Sequence, residues 1–123
     1  QNLPPGNIWM PITYFDLWMV RLMGFLPELD RCIVCERPLD GQKAYFHALA
    51  DGLMCPHDKR LASSEMSAES RQTAQKMFRN PVEKFAGQEW TRARGADLRK
   101  FCREIVERHI ERKLVTTVQL EKL

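Results

Sequence analysis

Residues 32–58 read CIVCERPLDGQKAYFHALADGLMCPHD, and this stretch decides how the rest of the chain is organised. Cys32 and Cys35 form a C-x2-C pair, and Cys55 follows twenty residues after the second thiol. Two thiols at this spacing suit a tight loop that directs both sulfurs at one tetrahedral Zn2+. We therefore predict one structural zinc ion that is bound by these three cysteines and a fourth ligand.

Two residues, Asp58 and His57, are candidates for the fourth ligand. Asp58 stands at the C-x2-X position, in register with the first cysteine pair, whereas His57 stands at the tighter C-x-H position. Imidazole is the better zinc donor, so our preference on chemistry is His57. Two other readings remain open: a metal-free lobe that is held by packing around reduced thiols, and an open zinc site with catalytic character.

The segment between the cysteines predicts a β-hairpin. Residues 43–50 and 53–55 are two apolar runs, and Asp51-Gly52 lies between them. Asp-Gly between apolar runs is a strong hairpin signal, because glycine takes a positive φ at little steric cost. The hairpin would carry Cys55 back beside the first pair and complete a zinc-ribbon-like lobe.

Composition predicts an ordinary globular protein. The 123 residues are 44% hydrophobic and 28% charged, with a formal net charge of +3. That mild charge permits contact with nucleic acid or an acidic partner without requiring either. We expect no membrane segment, because no apolar run approaches the ~18 residues of a span. Three clustered cysteines at metal spacing fit a reducing compartment, so we expect a cytoplasmic protein.

The predicted fold is mainly α (α+β), a helical domain with an inserted zinc-ribbon-like β-hairpin lobe. We assign residues 1–10 to a linker or arm, residues 32–58 to the zinc-binding lobe, and residues 11–31 and 59–123 to the helical domain. Because the sequence begins at Gln1 rather than Met, we expect a fragment or a processed chain that lacks a preceding domain.

Apolar spacing predicts three helices. The first begins at Pro11 and ends at Gly24. The second covers residues 68–78 with Ser67 as its N-cap, and Trp90 is expected to be buried after it. The last covers residues 96–114, and residues 116–120 form a strand or a tail. The first helix is expected to bury Phe15, Trp18, Met19, Leu22 and Met23; the last is expected to bury Leu98, Phe101, Cys102, Ile105, Val106, Ile110 and Leu114.

The polar side of the last helix is rich in arginine, although glutamates lie between the cations. These charges can form i,i+4 pairs on a solvated face, or they can bind an anion. We find no nucleophile with an attendant base, no phosphate-binding glycine loop and no paired carboxylates, so we do not expect an enzyme. The candidate residues for binding nucleic acid or an acidic peptide are Arg99, Arg103, Arg108, Arg112 and Lys113.

Three stretches together carry a family resemblance: YFDLWMVRLMGFLPELDRCIVC at 14–35, AYFHALADGLMCP at 44–56 and ERHIERKL at 107–114. They resemble the C-terminal part of the bacterial RecO family of DNA repair proteins. Two departures stand out. The family commonly closes its site with a second C-x2-C, where this chain has Asp58, and a glycine frequently stands where this chain has Glu36.

The resemblance implies a recombination mediator of the bacterial cytoplasm and nucleoid. Such a protein binds single-stranded and double-stranded DNA, anneals strands, works with RecR and helps to load RecA. It also binds the acidic, Phe-ending tail of single-stranded DNA-binding protein (SSB). Full-length members carry an N-terminal OB-fold, and no such barrel segment is present in this sequence. The alternatives are a stand-alone zinc-binding module that contacts proteins without binding DNA, and a metal-dependent enzyme.

For the SSB tail, the residue pattern suggests a groove on the last helix. Ile105 and Ile110 would supply an apolar pocket, and Arg103, Arg108 and Arg112 would flank it. We expect the first helix to form the opposite wall.

Overall fold

The computed structural model describes residues 8–121, so most of the predicted linker lies outside the described residues. Within this range the chain has three α-helices, one short 3-10 helix and a two-stranded antiparallel sheet. The fold class is therefore confirmed. In chain order the elements are α1 (Trp9–Leu22), β1 (Ala44–Phe46), β2 (Ser64–Met66), α2 (Ala68–Arg79), a 3-10 helix (Val82–Phe85) and α3 (Ala96–Glu121).

Helix α1 begins two residues before the predicted start, so the predicted arm is wrong for Trp9 and Met10. Pro11 still lies in the first turn, where its missing N–H needs no partner. Gly24 ends the helix as predicted. It has a φ of 82°, and the N–H of Phe25 donates to the carbonyl of Val20 at 3.1 Å. This is the 6→1 hydrogen bond of a Schellman motif, which ends a helix at a glycine in the left-handed region.

The predicted buried face of α1 is wrong. The helix is apolar almost all round, and two different sets of residues recur at helical spacing, so periodicity could not choose between them. Trp18 is half-buried, and its Nε1–H donates to the carbonyl of Met77 at 3.2 Å, whereas Phe15 is 58% exposed. The residues that α1 buries are Met10, Thr13, Tyr14, Leu17 and Val20.

Helices α1 and α3 run side by side in the same direction. Near their starts, the guanidinium of Arg99 donates to Oγ1 of Thr13 at 2.7 Å. Beyond the end of α1, the ring of Phe25 lies on that of His109, with 3.7 Å between centroids. Helix α3 then continues for another twelve residues, so the predicted strand or tail at 116–120 is wrong. It leaves the core there: Ile110 and Leu114, predicted to be inward, are 51% and 60% exposed.

The sheet differs from the predicted hairpin. Strand β1 pairs with β2, a segment that lies within the residues that we had assigned to the helical domain. On the other edge of β1, Tyr45 and Met54 exchange two backbone hydrogen bonds of 2.8 and 2.9 Å. The chain therefore does return after residues 51–52, but as a single bridge rather than a strand.

Gly52 is required for a different reason from the predicted one. The positive φ values at described glycines occur at Gly24 and Gly95. A Cβ atom on Gly52 would lie 2.3 Å from Cγ2 of Ile33, because the N–H of Ile33 donates to the carbonyl of Leu53 at 2.9 Å. The close approach of the cysteine loop to the returning segment thus excludes a side chain at this position.

Helix α2 carries the residue that fastens the cysteine loop to the helices. Ser67 caps the helix as predicted, accepting from the N–H of Ser70 at 3.0 Å. One turn later, Arg71 is 4% exposed. Its guanidinium donates to three backbone carbonyls, those of Leu29 at 3.3 Å, Asp40 at 2.7 Å and Gln42 at 2.6 Å.

We predict that Arg71→Met lowers the free energy of unfolding by on the order of 3 kcal/mol, because it leaves one buried and two partly buried carbonyl groups without their donor. Urea denaturation measures the change. Arg79→Met is the matched control: Arg79 ends the same helix, is exposed and has no partner among the described residues. The control should stay within about 0.5 kcal/mol of the parent. Equal losses in the two variants would contradict the role of Arg71.

Candidate metal centre and basic surface

The two halves of the cysteine motif meet at one point. Among the described residues, Cys32, Cys35, Cys55 and Asp58 each place one donor atom within 4.8 Å of the other three. Oδ2 of Asp58 lies 3.3 Å from Sγ of Cys32 and 3.2 Å from Sγ of Cys55. The sulfurs of Cys35 and Cys55 are 4.0 Å apart.

These distances fit a tetrahedral metal site. Zinc bonds of about 2.3 Å to sulfur and about 2.0 Å to oxygen imply edges of roughly 3.8 Å between two sulfurs and roughly 3.5 Å between sulfur and oxygen. The four donor atoms can therefore close around one ion with small adjustments. Three thiolates favour zinc over the hard cations magnesium and calcium, which prefer oxygen ligands.

The turn of the second motif brings Asp58 to the three thiols. Its N–H donates to the carbonyl of Cys55 at 3.1 Å, and this turn directs the carboxylate back at the thiols. His57 is exposed and lies outside the cluster of donor atoms. The structure therefore places Asp58 beside the thiols. It does not place His57 there, although imidazole is the better zinc donor.

The backbone of the Cys32–Cys35 loop shows why a glycine suits the position of Glu36. Its N–H donates to the carbonyl of Cys32 at 3.0 Å and closes the loop. Glu36 itself has a φ of 63°, the left-handed region where glycine has no steric penalty. A non-glycine residue in that region costs roughly 1–2 kcal/mol. A glycine is favoured at this position for that reason.

The thiols and the carboxylate perturb one another. Burial raises the pKa of Cys32, but the backbone N–H groups of Cys35, Cys55 and Val34 outweigh it, so its pKa is lowered. The N–H of Arg37 lowers the pKa of Cys35, yet Asp58 and the other thiols raise it to about 11. Hydrogen bonds from the three thiols lower the pKa of Asp58. Metal binding must displace thiol protons, so affinity should rise with pH.

Cys102 takes no part in this cluster. It is 3% exposed in the core, as predicted, and burial raises its pKa to about 12. A cysteine with such a pKa is an inert, small hydrophobic residue.

The predicted basic residues of α3 do not form one free cationic surface. The Arg99 guanidinium is used inside the fold: it donates to Thr13 and to the carbonyls of Arg92 and Arg94, and it lies 4.8 Å from the Trp9 ring. Arg103 lies 3.8 Å from Glu107.

The other three predicted cations lie further along α3. Arg108 and Arg112 share Oδ1 of Asp51 at 2.9 and 3.3 Å. Lys113 is exposed, and its side chain pairs with no described carboxylate.

A small cavity lies beside the two arginines that share Asp51. Its volume is about 130 Å3. Two of its lining residues, Phe25 and His109, were not predicted to belong to a site. The sequence signal for Phe25 was only weak, because it simply follows the end of the first predicted helix. The residues that line the cavity are Phe25, Pro27, Ala50, Asp51, Gly52, Phe101, Ile105, Arg108, His109 and Arg112.

Two larger depressions offer less. One of about 400 Å3 separates α1 from α3, but Asp16 and Glu107 stand among its cations. Another of about 420 Å3 lies where α2 and α3 begin. There the Asp97 carboxylate already accepts hydrogen bonds from the N–H groups of Ser67 and Leu98 and from the hydroxyl of Ser70.

Comparison with known proteins assigns the family. The family model described as "Recombination protein O C terminal" matches residues 1–117. The chain belongs to this family. It is 60% identical over 122 residues to the DNA repair protein RecO of Koribacter versatilis (strain Ellin345), covering 99% of this chain and 50% of that protein.

A second relative, DNA repair protein RecO of Desulforamulus reducens, is 24% identical over 122 residues, covering 96% of this chain and 47% of that protein. The chain thus spans about half the length of the curated relatives it matches. No solved structure matches it. None of the described helices is both long enough and apolar enough to cross a membrane.

We predict that Asp58→Ala lowers zinc affinity at least about tenfold, whereas His57→Ala keeps one zinc per chain, because Asp58 points at the thiols. Elemental analysis and competition with a zinc-binding dye measure both. Asp58→Cys is the matched control, since it restores a second C-x2-C pair and should bind zinc at least as tightly as the parent. Loss of zinc in His57→Ala with retention in Asp58→Ala would reverse the assignment.

Proposed function

We propose that this chain is the partner-binding and metal-binding part of a RecO-type recombination mediator, a non-enzymatic protein that acts with DNA, SSB, RecR and RecA. Membership of the RecO family supports the role in DNA repair. The observation that carries the proposal for a partner site is the cavity where two arginines meet an apolar floor.

In this proposal the metal is structural. One Zn2+ is bound by Cys32, Cys35, Cys55 and Asp58. It cross-links the loop that carries the first two cysteines to the turn that carries Cys55 and Asp58. Four protein donors close the coordination sphere and leave no position for a substrate or an activated water. The donor set therefore favours a mediator over a metal-dependent enzyme.

The small cavity is the proposed site for the SSB tail. Its floor is formed by Phe25, Phe101 and Ile105, and its volume of about 130 Å3 is close to the ~150 Å3 apolar cavity that holds a benzene ring. One aromatic side chain fits that space. Arg108 and Arg112 stand at the rim, where a terminal carboxylate could bind both guanidinium groups.

Asp51 marks where that carboxylate would lie. One of its oxygens already lies within 3.3 Å of both arginines, and the side chain is 75% exposed. The Arg112–Asp51 pair is exposed on both sides and is worth about 0–1 kcal/mol, so a peptide carboxylate can replace or join Asp51 there at little cost. The two arginines and the single aspartate leave this rim with a net positive charge.

The depression between α1 and α3 is less suitable for an acidic tail. Asp16 and Glu107 would repel the ligand, and the hydrogen-bond donors of Arg99 are already used within the fold. The opposite wall of the proposed site is therefore residues 25–27 and the turn at 50–52, where we had expected the first helix. Of the predicted site residues, Ile105, Arg108 and Arg112 lie in it.

We predict that a peptide with the SSB tail sequence binds this chain and that removal of its terminal Phe weakens binding at least about thirtyfold, because the apolar floor then stays unfilled. Arg112→Glu should also weaken binding. Lys84→Glu is the matched control: Lys84 lies in the 3-10 helix, and its exposed side chain pairs with no described residue. Fluorescence anisotropy of a labelled peptide measures each affinity. Indifference to the terminal Phe would rule out this site.

DNA contact by this chain is proposed to be weak and electrostatic. Of the predicted cations, Arg103, Arg112 and Lys113 are exposed on α3, and glutamates lie between them. Few phosphate contacts follow from such a surface. Members of the family that bind DNA tightly would then depend on residues outside this chain.

We predict that binding to single-stranded and double-stranded oligonucleotides falls steeply as salt rises, because phosphate contacts release counterions. Anisotropy titrations at several salt concentrations give the slope, and Lys113→Glu should reduce it by about one. A pull-down with RecR measures binding to the protein partner in parallel. Retention of RecR without any salt-dependent DNA binding would favour the alternative, a zinc-binding module that contacts proteins alone.

A further inference from the structure

Glu104 and Arg108 stand one turn apart on α3, and each has a buried polar atom without a hydrogen-bond partner among the described residues. These atoms are Oε2 of Glu104 and Nη1 of Arg108. A glutamate four residues before an arginine commonly pairs with it on a helix. Here the Nη2 atom of Arg108 pairs with Oδ1 of Asp51 instead, at 2.9 Å. Burying a charged group without a partner is costly, so both atoms require one.

A cavity of about 20 Å3 lies between α3 and the chain that follows β1, and both side chains line it. One water molecule needs about 10–15 Å3, so the cavity can hold one and is too small for a peptide side chain. Its apolar wall includes Phe46 and Phe101, whose rings meet edge to face with 5.3 Å between centroids. The polar lining is therefore concentrated in a few side chains.

His47 supplies a third polar group to this cavity. Its Nδ1 atom accepts a hydrogen bond from the N–H of Leu49 at 3.1 Å. In the neutral imidazole the proton therefore lies on Nε2, which can donate and has no partner among the described residues. A buried water typically makes about three hydrogen bonds to groups that otherwise lack partners. Two donors and one acceptor around one small cavity match that requirement.

We propose that this cavity binds one water molecule and that Glu104 is a positioning residue for Arg108, acting through that water. The water accepts hydrogen bonds from Nη1 of Arg108 and from Nε2 of His47, and it donates one to Oε2 of Glu104. The guanidinium of Arg108 is then held from two sides, by the water at Nη1 and by Asp51 at Nη2.

The role of this bridge in partner binding rests on the function proposed above. Arg108 and Arg112 stand at the rim of the larger cavity, where the carboxylate of the SSB tail is proposed to bind. The side chain of Arg108 is 21% exposed and that of Arg112 is 62% exposed. Because the bridge fixes Arg108 before a peptide arrives, less side-chain entropy is lost on binding there. Arg108 is thus the preorganised arginine of the pair.

A crystal structure of the zinc-loaded chain that resolves ordered water tests the bridge without any partner. We expect one water within about 3.2 Å of both Oε2 of Glu104 and Nη1 of Arg108. Glu104→Met keeps the length of the side chain and removes the acceptor, so the water should be lost and Arg108 should leave Asp51. A direct contact between Glu104 and Arg108, or an unmoved Arg108 in Glu104→Met, would overturn the proposal.

Affinity for the tail peptide separates positioning from simple electrostatics. Glu104→Met should weaken binding at least about fivefold, whereas Glu104→Gln should stay within about twofold of the parent, because its amide oxygen still accepts from the water. Glu111→Met is the matched control, since Glu111 is exposed on α3 and pairs with no described residue. It should also stay within about twofold.

Tighter binding by both Glu104 variants would mean that the carboxylate only repels the acidic tail, and the positioning role would be wrong. A parent chain that does not bind the peptide would refute the SSB-tail site. The water and the position of Arg108 in the two crystal structures decide the bridge in either case.

Discussion

The buried guanidinium of Arg71 holds the first cysteine loop against the helical core. This one side chain connects α2 to the chain on both sides of the first cysteine loop, through Leu29 before it and Asp40 and Gln42 after it. Burial lowers the pKa of Arg71, while Asp30 and Asp40 raise it. The loop that carries Cys32 is thereby fixed against the helical core before any metal binds.

That constraint explains why the cysteine lobe and the helices share one core. Cys32, Leu39 and Leu53 are each at most 1% exposed and belong to the same buried cluster as Leu17 of α1 and Leu98 of α3. A lobe of this size buries too little apolar surface to be stable alone. The cysteine cluster and the arginine therefore lie on the same short segment of the chain.

Sequence reasoning succeeded where a residue type has one local use. Cysteine spacing predicted the cluster, Ser67 predicted the start of α2, and Gly24 predicted the end of α1. It failed where the outcome depends on tertiary packing. Residues 64–66 have little strand propensity and become β2 because β1 offers them an open edge, a case in which context overrides propensity.

The candidate site shows the same division between local and tertiary information. Register along the chain gave Asp58 as one of two possible ligands, but the turn at Cys55 that brings its carboxylate to the thiols is visible only in three dimensions. The arginines of α3 were predicted as one surface. Their partners, Asp51 and the carbonyls of Arg92 and Arg94, lie in distant loops whose approach no helical pattern can reveal.

X-ray absorption at the zinc edge tests whether three cysteines and Asp58 bind the metal, because it reports the donor atoms around the ion. The account predicts three sulfur neighbours at about 2.3 Å and one oxygen neighbour at about 2.0 Å, without the outer-shell scattering of an imidazole ring. A spectrum with imidazole scattering, or protein that carries no zinc after purification without chelator, would contradict it.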